Sequence, residues 1–262
     1  MRINNLRLGE FDNIAKYYDE NRPNYSNLSL DFIMQNIDTE MNSINLADIG
    51  AGTGVWTRLV STFKLGSIIA IEPSTEMISY GIKKPGVLTD ISWRIGKAED
   101  TGLNSDSIDI VTMASALHYA NFSLAVKEIH RILKTNGIFV ALWHPRIIEN
   151  GSIFEEIENQ IIKLNPTIKR ISSGYSEFTD KLKDKLESTN MFDNVMFQEF
   201  PCEEQMTKER YINVWRSAND IQVQLGMKDF EKFLTYLVSK IPDSEIINPK
   251  YMTRVWIAKV KK

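Results

Sequence analysis

Asp48, Gly50, Gly52 and Glu72 are the residues whose types and spacing point most directly to chemistry. The run Asp48-Ile49-Gly50-Ala51-Gly52-Thr53-Gly54 closes a short apolar stretch, INLADIG over 44–50. Glycines after a buried strand let the backbone turn tightly and approach a ligand closely. A dinucleotide site needs G-x-G-x-x-G, so that a pyrophosphate rests on the helix N-terminus. Here the spacing is G-x-G-x-G, and Val55 stands where the third glycine of that pattern belongs. The acid Asp48 just before the turn suits a cationic amino acid better than a pyrophosphate. Glu72 ends a second apolar run, SIIAIEP over 67–73. Its two acceptor oxygens match the paired hydroxyls of a ribose, which selects a nucleoside without saying which one.

Two more clusters follow later apolar runs. Glu99, in Lys97-Ala98-Glu99-Asp100, can read an adenine edge together with neighbouring backbone amides. Ser115-Ala116-Leu117-His118-Tyr119 falls at the end of a fourth run, where open parallel sheets bind ligands. A histidine there can take a proton from a hydroxyl or amine. His130 lies on a helix face and reads as structural. Trp143 and His144 end a fifth run at the same rim and are pocket candidates. Tyr211 and Trp215 share a helical face, with Arg216 beside them. That stretch is either a helix packed on the sheet or an aromatic wall with an arginine for a carboxylate. Lys181, Lys183 and Lys185 alternate with acids and form a solvated face. No His-rich or Asp-rich cluster suggests a metal. The single cysteine, Cys202, cannot build a disulfide framework, which fits a reducing compartment, and it reads as a small apolar strand residue.

The elements that position these residues come from the hydrophobic pattern. Phe11, Ile14, Ala15 and Tyr18 share one face of a helix over 11–20, which Arg22-Pro23 ends. A second helix covers 28–37, capped by Asn27 or Ser29. Strands over 44–50, 67–73, 90–100, 107–117 and 138–144 then alternate with helices over 55–63, 75–82 and 121–133. Ser74 caps the middle helix, and Asn136-Gly137 marks a turn after the last. This alternation predicts a doubly wound α/β fold, a parallel sheet covered on both faces. After Pro145 it breaks: helices over 152–164, 178–190, 207–225 and 228–241 surround strands over 195–201 and 252–260. Residues 165–176 are polar and turn-rich. The reading is one domain in three parts: a helical lid over 1–43, a cofactor-binding core over 44–145, and a completion of the sheet with helical insertions over 146–262.

The 262 residues carry 31 Lys and Arg against 34 Asp and Glu, a formal net charge of -3. A dedicated nucleic-acid binder needs a basic excess, so the balance argues against one. No run of about 18 apolar residues and no leader pattern occurs, and the chain reads as soluble and cytoplasmic.

As an ordered set, DIGAGTG, Glu72, AED, IDIVTMASALHY and LKTNGIFVALW resemble the class I S-adenosylmethionine-dependent methyltransferases, type 11, over about residues 11–144. FDNIAKYYDENRPNY resembles a segment of the trans-aconitate-methyltransferase-like branch, with Ser26 replacing its usual proline. The resemblance implies a Rossmann-like, mostly parallel seven-stranded sheet with helical insertions in the C-terminal part. It implies S-adenosylmethionine as cofactor and S-adenosylhomocysteine as product. Gly50, Ala51 and Gly52 would meet the methionine moiety, Glu72 the ribose, and Pro73, Met77, Ala98 and Glu99 the rest of the nucleoside. Ser115 and the catalytic candidate His118 would lie near the sulfonium. Tyr17 and Arg22 would fold over the cofactor as a lid. Tyr25, Tyr119, Trp143, His144, Trp215 and Arg216 would shape the substrate site. The expected reaction is O- or N-methylation of a small molecule. An RNA methyltransferase, a nucleotide-dependent oxidoreductase and a non-catalytic cofactor-binding module are the competing readings. Methyl transfer asks the protein for position and electrostatics, since the cofactor brings the reactivity.

Overall fold

The computed structural model describes residues 7–170, 173–243 and 246–262. The first six residues of the expected lid, and 171–172 and 244–245 in the expected insertions, lie outside the described residues. The apolar runs become β1 (Asn45–Ile49), β2 (Ser67–Glu72), β3 (Ile91–Ile95), β4 (Ile108–Ala114) and β5 (Leu133–Trp143), all parallel, in the order β3-β2-β1-β4-β5. β6 (Phe192–Glu203) forms the far edge. β7 (Met206–Thr207) and β8 (Ile246–Ile247) make a separate small ladder that the hydrophobic pattern does not announce. β9 (Lys250–Val260) slots between β5 and β6, antiparallel to both. Seven strands thus form one mostly parallel sheet.

Both faces of this sheet are covered, which is why its central strands are apolar at nearly every position. Ala47, Ile49, Val111, Met113 and Phe139 pack with Ala125, Val126 and Ile129 of α5 (Phe122–Ile132, below) on one face. Leu46, Ile110, Ile138 and Val140 pack on the other with Leu30 and Ile33, and with Trp56 and Val60.

The helices run in chain order α1 (Ala15–Asn21), α2 (Asn27–Gln35), α3 (Val55–Val60), α4 (Thr75–Gly81) and α5 (Phe122–Ile132). Then come α6 (Ile153–Leu164), α7 (Glu177–Asp180), α8 (Leu182–Ser188), α9 (Lys208–Arg216) and α10 (Asn219–Lys240). Ser74 caps α4 by accepting from the Met77 amide, as its position suggests. α2 differs from expectation: Ser26 is its N-cap residue, without a side-chain cap, and Ser29 donates to the Ser26 carbonyl. Asn136-Gly137 is no turn but a bulge inside β5, where Asn136 takes φ +68° and the register with β4 skips. The single helix expected over 178–190 is two, α7 and α8, meeting at Lys181. The two helical stretches expected over 207–225 and 228–241 part at Gly226 as expected, and the first of them has a further break at Ser217-Ala218.

α6, α9 and α10 build a core of their own from Ile157, Ile161, Tyr211, Trp215, Ile221 and Phe233. Among the described residues no helix is long and apolar enough to cross a membrane.

Candidate functional site

The glycine turn joins β1 to α3 and is tied to the neighbouring strand. The amides of Gly50 and Ala51 both donate to the Ile71 carbonyl, at 2.8 and 3.1 Å. Gly50 and Gly52 have φ of +71° and +60°, where an L side chain is strained. A Cβ on Gly50 would lie 2.6 Å from the Ala116 Cβ. One on Gly52 would point into a cleft of about 370 Å³, towards Met77 and Tyr18. The Gly52 amide donates to Glu72 Oε2 at 2.9 Å, and the Ser74 amide to Oε1 at 3.0 Å. Burial pushes the Glu72 carboxyl up, and these two amides pull against it. Each oxygen keeps a further lone pair for a ligand.

Pro73, Met77, Ala98 and Glu99 line the same cleft, as do Ser115 and Tyr119. Glu99 also accepts from the Asn121 amide at 2.6 Å. Asp48 does not reach the cleft. It is fully buried beneath the turn, where it accepts from the hydroxyls of Thr57 at 2.5 Å and Thr112 at 2.9 Å. Burial raises its carboxyl to about 6 against these bonds. Its place is to clamp α3 and β4 to β1, not to meet a cationic ligand. Ala51 is likewise absent from the lining.

Of the two adjacent tyrosines of α1, Tyr18 lines the cleft. Its ring meets Phe11 edge-on at 5.9 Å, and Phe11 meets Tyr119 at 5.6 Å, closing an aromatic rim. Tyr17 is exposed and lies under the Arg216 guanidinium, which also donates to Asn213. The structure brings Tyr17 and Arg216 together, away from the cleft.

A second cleft, of about 410 Å³, opens under the insertions. Arg22, His144, Arg146, Arg170, Trp215 and Asp220 are among its walls. It adjoins the first: Arg22 sits 4.6 Å over the Tyr18 ring and donates to the Ser217 carbonyl. The Tyr25 hydroxyl bonds Ser115 at 3.2 Å, while its ring lies 5.1 Å from that of His144.

Residues 47–141 match the methyltransferase-domain family. Over these residues the chain is similar to a methyltransferase domain. An uncharacterized methyltransferase-like protein of Schizosaccharomyces pombe is 33% identical over 129 residues, 49% of each chain. An uncharacterized protein of Methanocaldococcus jannaschii is 24% identical over 251 residues, covering 87% of this chain and 91% of that one. The fold is similar to that of a type II methyltransferase candidate of Anaeromyxobacter dehalogenans, with TM-score 0.63 and 14% identity over 91% of this chain and 97% of that one. The chain spans about half the length of the methyltransferase-named relatives it matches.

Within the matched residues, His118 follows β4; Ser115, Ala116 and Tyr119 around it line the first cleft, and His118 itself lines neither cleft. The Trp143 indole, a donor only, gives its N–H to His118 Nδ1 at 3.1 Å. A neutral ring must then carry its proton on Nε2, which is buried and has no partner among the described residues. Burial holds this imidazole down at about 4. With Nδ1 taken by the indole N–H, the neutral ring presents Nε2–H as a hydrogen-bond donor. Trp143 is fully buried and acts from behind His118, not as a pocket wall. His144 is held at about 3, by burial first and then by Arg22, and its Nδ1 pairs with Thr253 at 2.8 Å. His130 binds the Lys261 carbonyl, far from either cleft. Cys202 is half-buried in β6, and burial raises its thiol to about 11.

Sequence reasoning did not single out Tyr18 and Phe11 as lining residues, although their shared helical face was readable. It missed Arg146, Arg170, Asp220 and Tyr251 entirely, since no spacing links them.

Proposed function

We propose that the first cleft binds S-adenosylmethionine and that the protein transfers its methyl group to the oxygen or nitrogen of a small molecule held in the second. The observation that carries this reading is the Gly52–Glu72 pair: a carboxylate aimed into a cleft beside a glycine whose Cβ would fill it. Bound there, S-adenosylmethionine supplies an electrophilic methyl carbon on a sulfonium. Glu72 would orient the ribose, and Glu99 and the apolar Met77 and Ala98 the adenine. Gly50 and Gly52 would give the methionine moiety its close approach. Arg22 has a buried Nε without a partner among the described residues and would take the cofactor's carboxylate at the boundary of the clefts. Phe11, Tyr18 and Tyr119 would keep water from the reacting centre. The insertions enclose a second cleft within the size range of small-ligand sites, which favours a small acceptor.

Isothermal calorimetry tests the reading. S-adenosylhomocysteine and S-adenosylmethionine are expected to bind and NAD to give no signal. Binding of NAD alone would replace the proposal with a nucleotide-dependent oxidoreductase.

A further inference from the structure

The second cleft contains polar groups that the fold leaves unsatisfied. Asp220 is 2% exposed, and its Oδ2 has no hydrogen-bond partner among the described residues. The Tyr251 hydroxyl is equally buried and equally without a partner. Unsatisfied buried groups are costly, and such a cluster facing a cavity is the mark of a ligand that completes it. Arg146 and Arg170 share one carboxylate, Glu158, while Glu155, the other acid of that wall, accepts from the Gly151 amide instead of pairing with either arginine. Arg146 lies flat on the Trp215 ring at 3.7 Å, so its fork is held in place. Asp220 follows Asn219, whose side chain bonds the N-terminal segment that lines the first cleft, so this acid stands on the side of the second cleft that faces the first.

We propose that the second cleft selects an acceptor carrying both an acid group and an N–H or O–H, the acid seated against Arg170 and Arg146 and the N–H or O–H against Asp220. This rests on the methyltransferase reading above. A guanidinium fork takes a carboxylate or a phosphate, so the acid can be either. The N–H or O–H points to the cofactor side, and its heteroatom is the one methylated. As the new bond to carbon forms and the carbon–sulfur bond breaks, the proton of that heteroatom passes to the Asp220 carboxylate. Methylation of the acid group itself is the alternative, and it needs no proton acceptor.

The test uses the full chain, first loaded with S-adenosylhomocysteine. Failure of that loading would sink the underlying reading rather than this one. Calorimetry on the loaded protein, and methyl-labelled S-adenosylmethionine on the free protein, are then applied to matched compounds. These are amino acids, 2-hydroxy acids and aminoalkyl phosphates, their amides or esters without the acid, and short aliphatic acids without N–H or O–H. Binding and label transfer are expected only in the first set, its carboxylate and phosphate members separating the two acid types. Transfer to the uncharged analogues, formation of methyl esters from any acid, or no binding anywhere in the panel would overturn the proposal. With a compound that reacts, Arg170→Gln should raise KM about tenfold with little change in kcat, the cost of one charged hydrogen bond. Asp220→Asn should lower kcat about a hundredfold and leave S-adenosylhomocysteine affinity intact. Asp220→Ala, checked for folding by circular dichroism, should do the same. Full turnover by both Asp220 variants would remove Asp220 from the reaction.

Discussion

At the scale of single residues, Glu72 and the two buried histidines make the sharpest demands. Glu72 holds the Gly52 and Ser74 amides and has lone pairs to spare, so Glu72→Ala removes ligand contacts and unsettles the turn at once. Charged hydrogen bonds contribute about 1.5–3 kcal/mol each, which predicts a loss of S-adenosylhomocysteine affinity of about tenfold or more by calorimetry. Unchanged affinity would refute the ribose assignment. His118 and His144 are held near 4 and 3, below the free imidazole value of about 6.5. The unfolded chain therefore takes up protons below about pH 6.5 that the folded protein refuses until pH 4 or lower, and stability is lost as pH falls through that window. Asp48 works the other way: its carboxyl is raised to about 6, so the fold gains as pH drops from there towards the free value. Two histidines outweigh one carboxyl, and the net expectation is a fall. Urea titrations at a series of pH values should show it, and His144→Asn should flatten the decline. Parallel curves for the two proteins would mean that His144 is not held neutral. The histidine chemistry was half legible in the sequence. His118 stood out by its place after β4, but its tautomer depends on Trp143, 25 residues away in the chain.

Elements explain which readings succeeded. The β1–turn–α3 unit is local: its glycines, Asp48 and Val55 announce a sharp strand-to-helix turn because backbone conformation is decided within a few residues. Gly52→Val should fold, at a cost of about 1–3 kcal/mol for the left-handed backbone. It should lose ligand binding, since the side chain would enter the cleft beside Met77. A variant that still bound S-adenosylhomocysteine would show that the ligand does not approach the turn. Helix phase was harder to use. The inward face of the segment leading into α1 runs through Phe11, Ile14, Ala15 and Tyr18, so Tyr18 and not its neighbour Tyr17 enters the cleft. The break in α10 was legible, since the helical stretches over 207–225 and 228–241 part at Gly226. Gly226 takes φ +69° and ψ 164° with open space around it, a conformation only glycine holds easily. Gly226→Ala is therefore expected to cost about 1–3 kcal/mol in urea unfolding even though nothing clashes. A neutral substitution would mean that the helix can straighten.

On the scale of the whole molecule, Asn219 adds to Arg22 and Tyr25 a further link between the two clefts. Asn219 starts α10, next to Asp220, and reaches across to the N-terminal segment. Its Oδ1 accepts from the Gly9 amide at 2.9 Å, and its Nδ2 donates to the carbonyls of Arg7 at 3.1 Å and Glu10 at 2.7 Å. Leu8, Gly9 and Phe11 of that segment line the first cleft. The helix that walls the second cleft thus holds the cover of the first, through partners some 210 positions apart that no spacing could reveal. The same holds for the second cleft, whose walls come from Arg22, Arg146, Arg170, Asp220 and Tyr251. Asn219→Ala breaks three bonds without touching either cleft's lining. A cover held by fewer bonds opens more often, and local opening governs both amide exchange and ligand escape. The variant is therefore expected to show faster hydrogen exchange over residues 7–11 and faster S-adenosylhomocysteine dissociation, by about tenfold, with exchange in β1, β4 and β5 unchanged. If the dissociation rate held while the segment exchanged freely, the N-terminal cover would not gate the ligand, and the two clefts would not be coupled through Asn219.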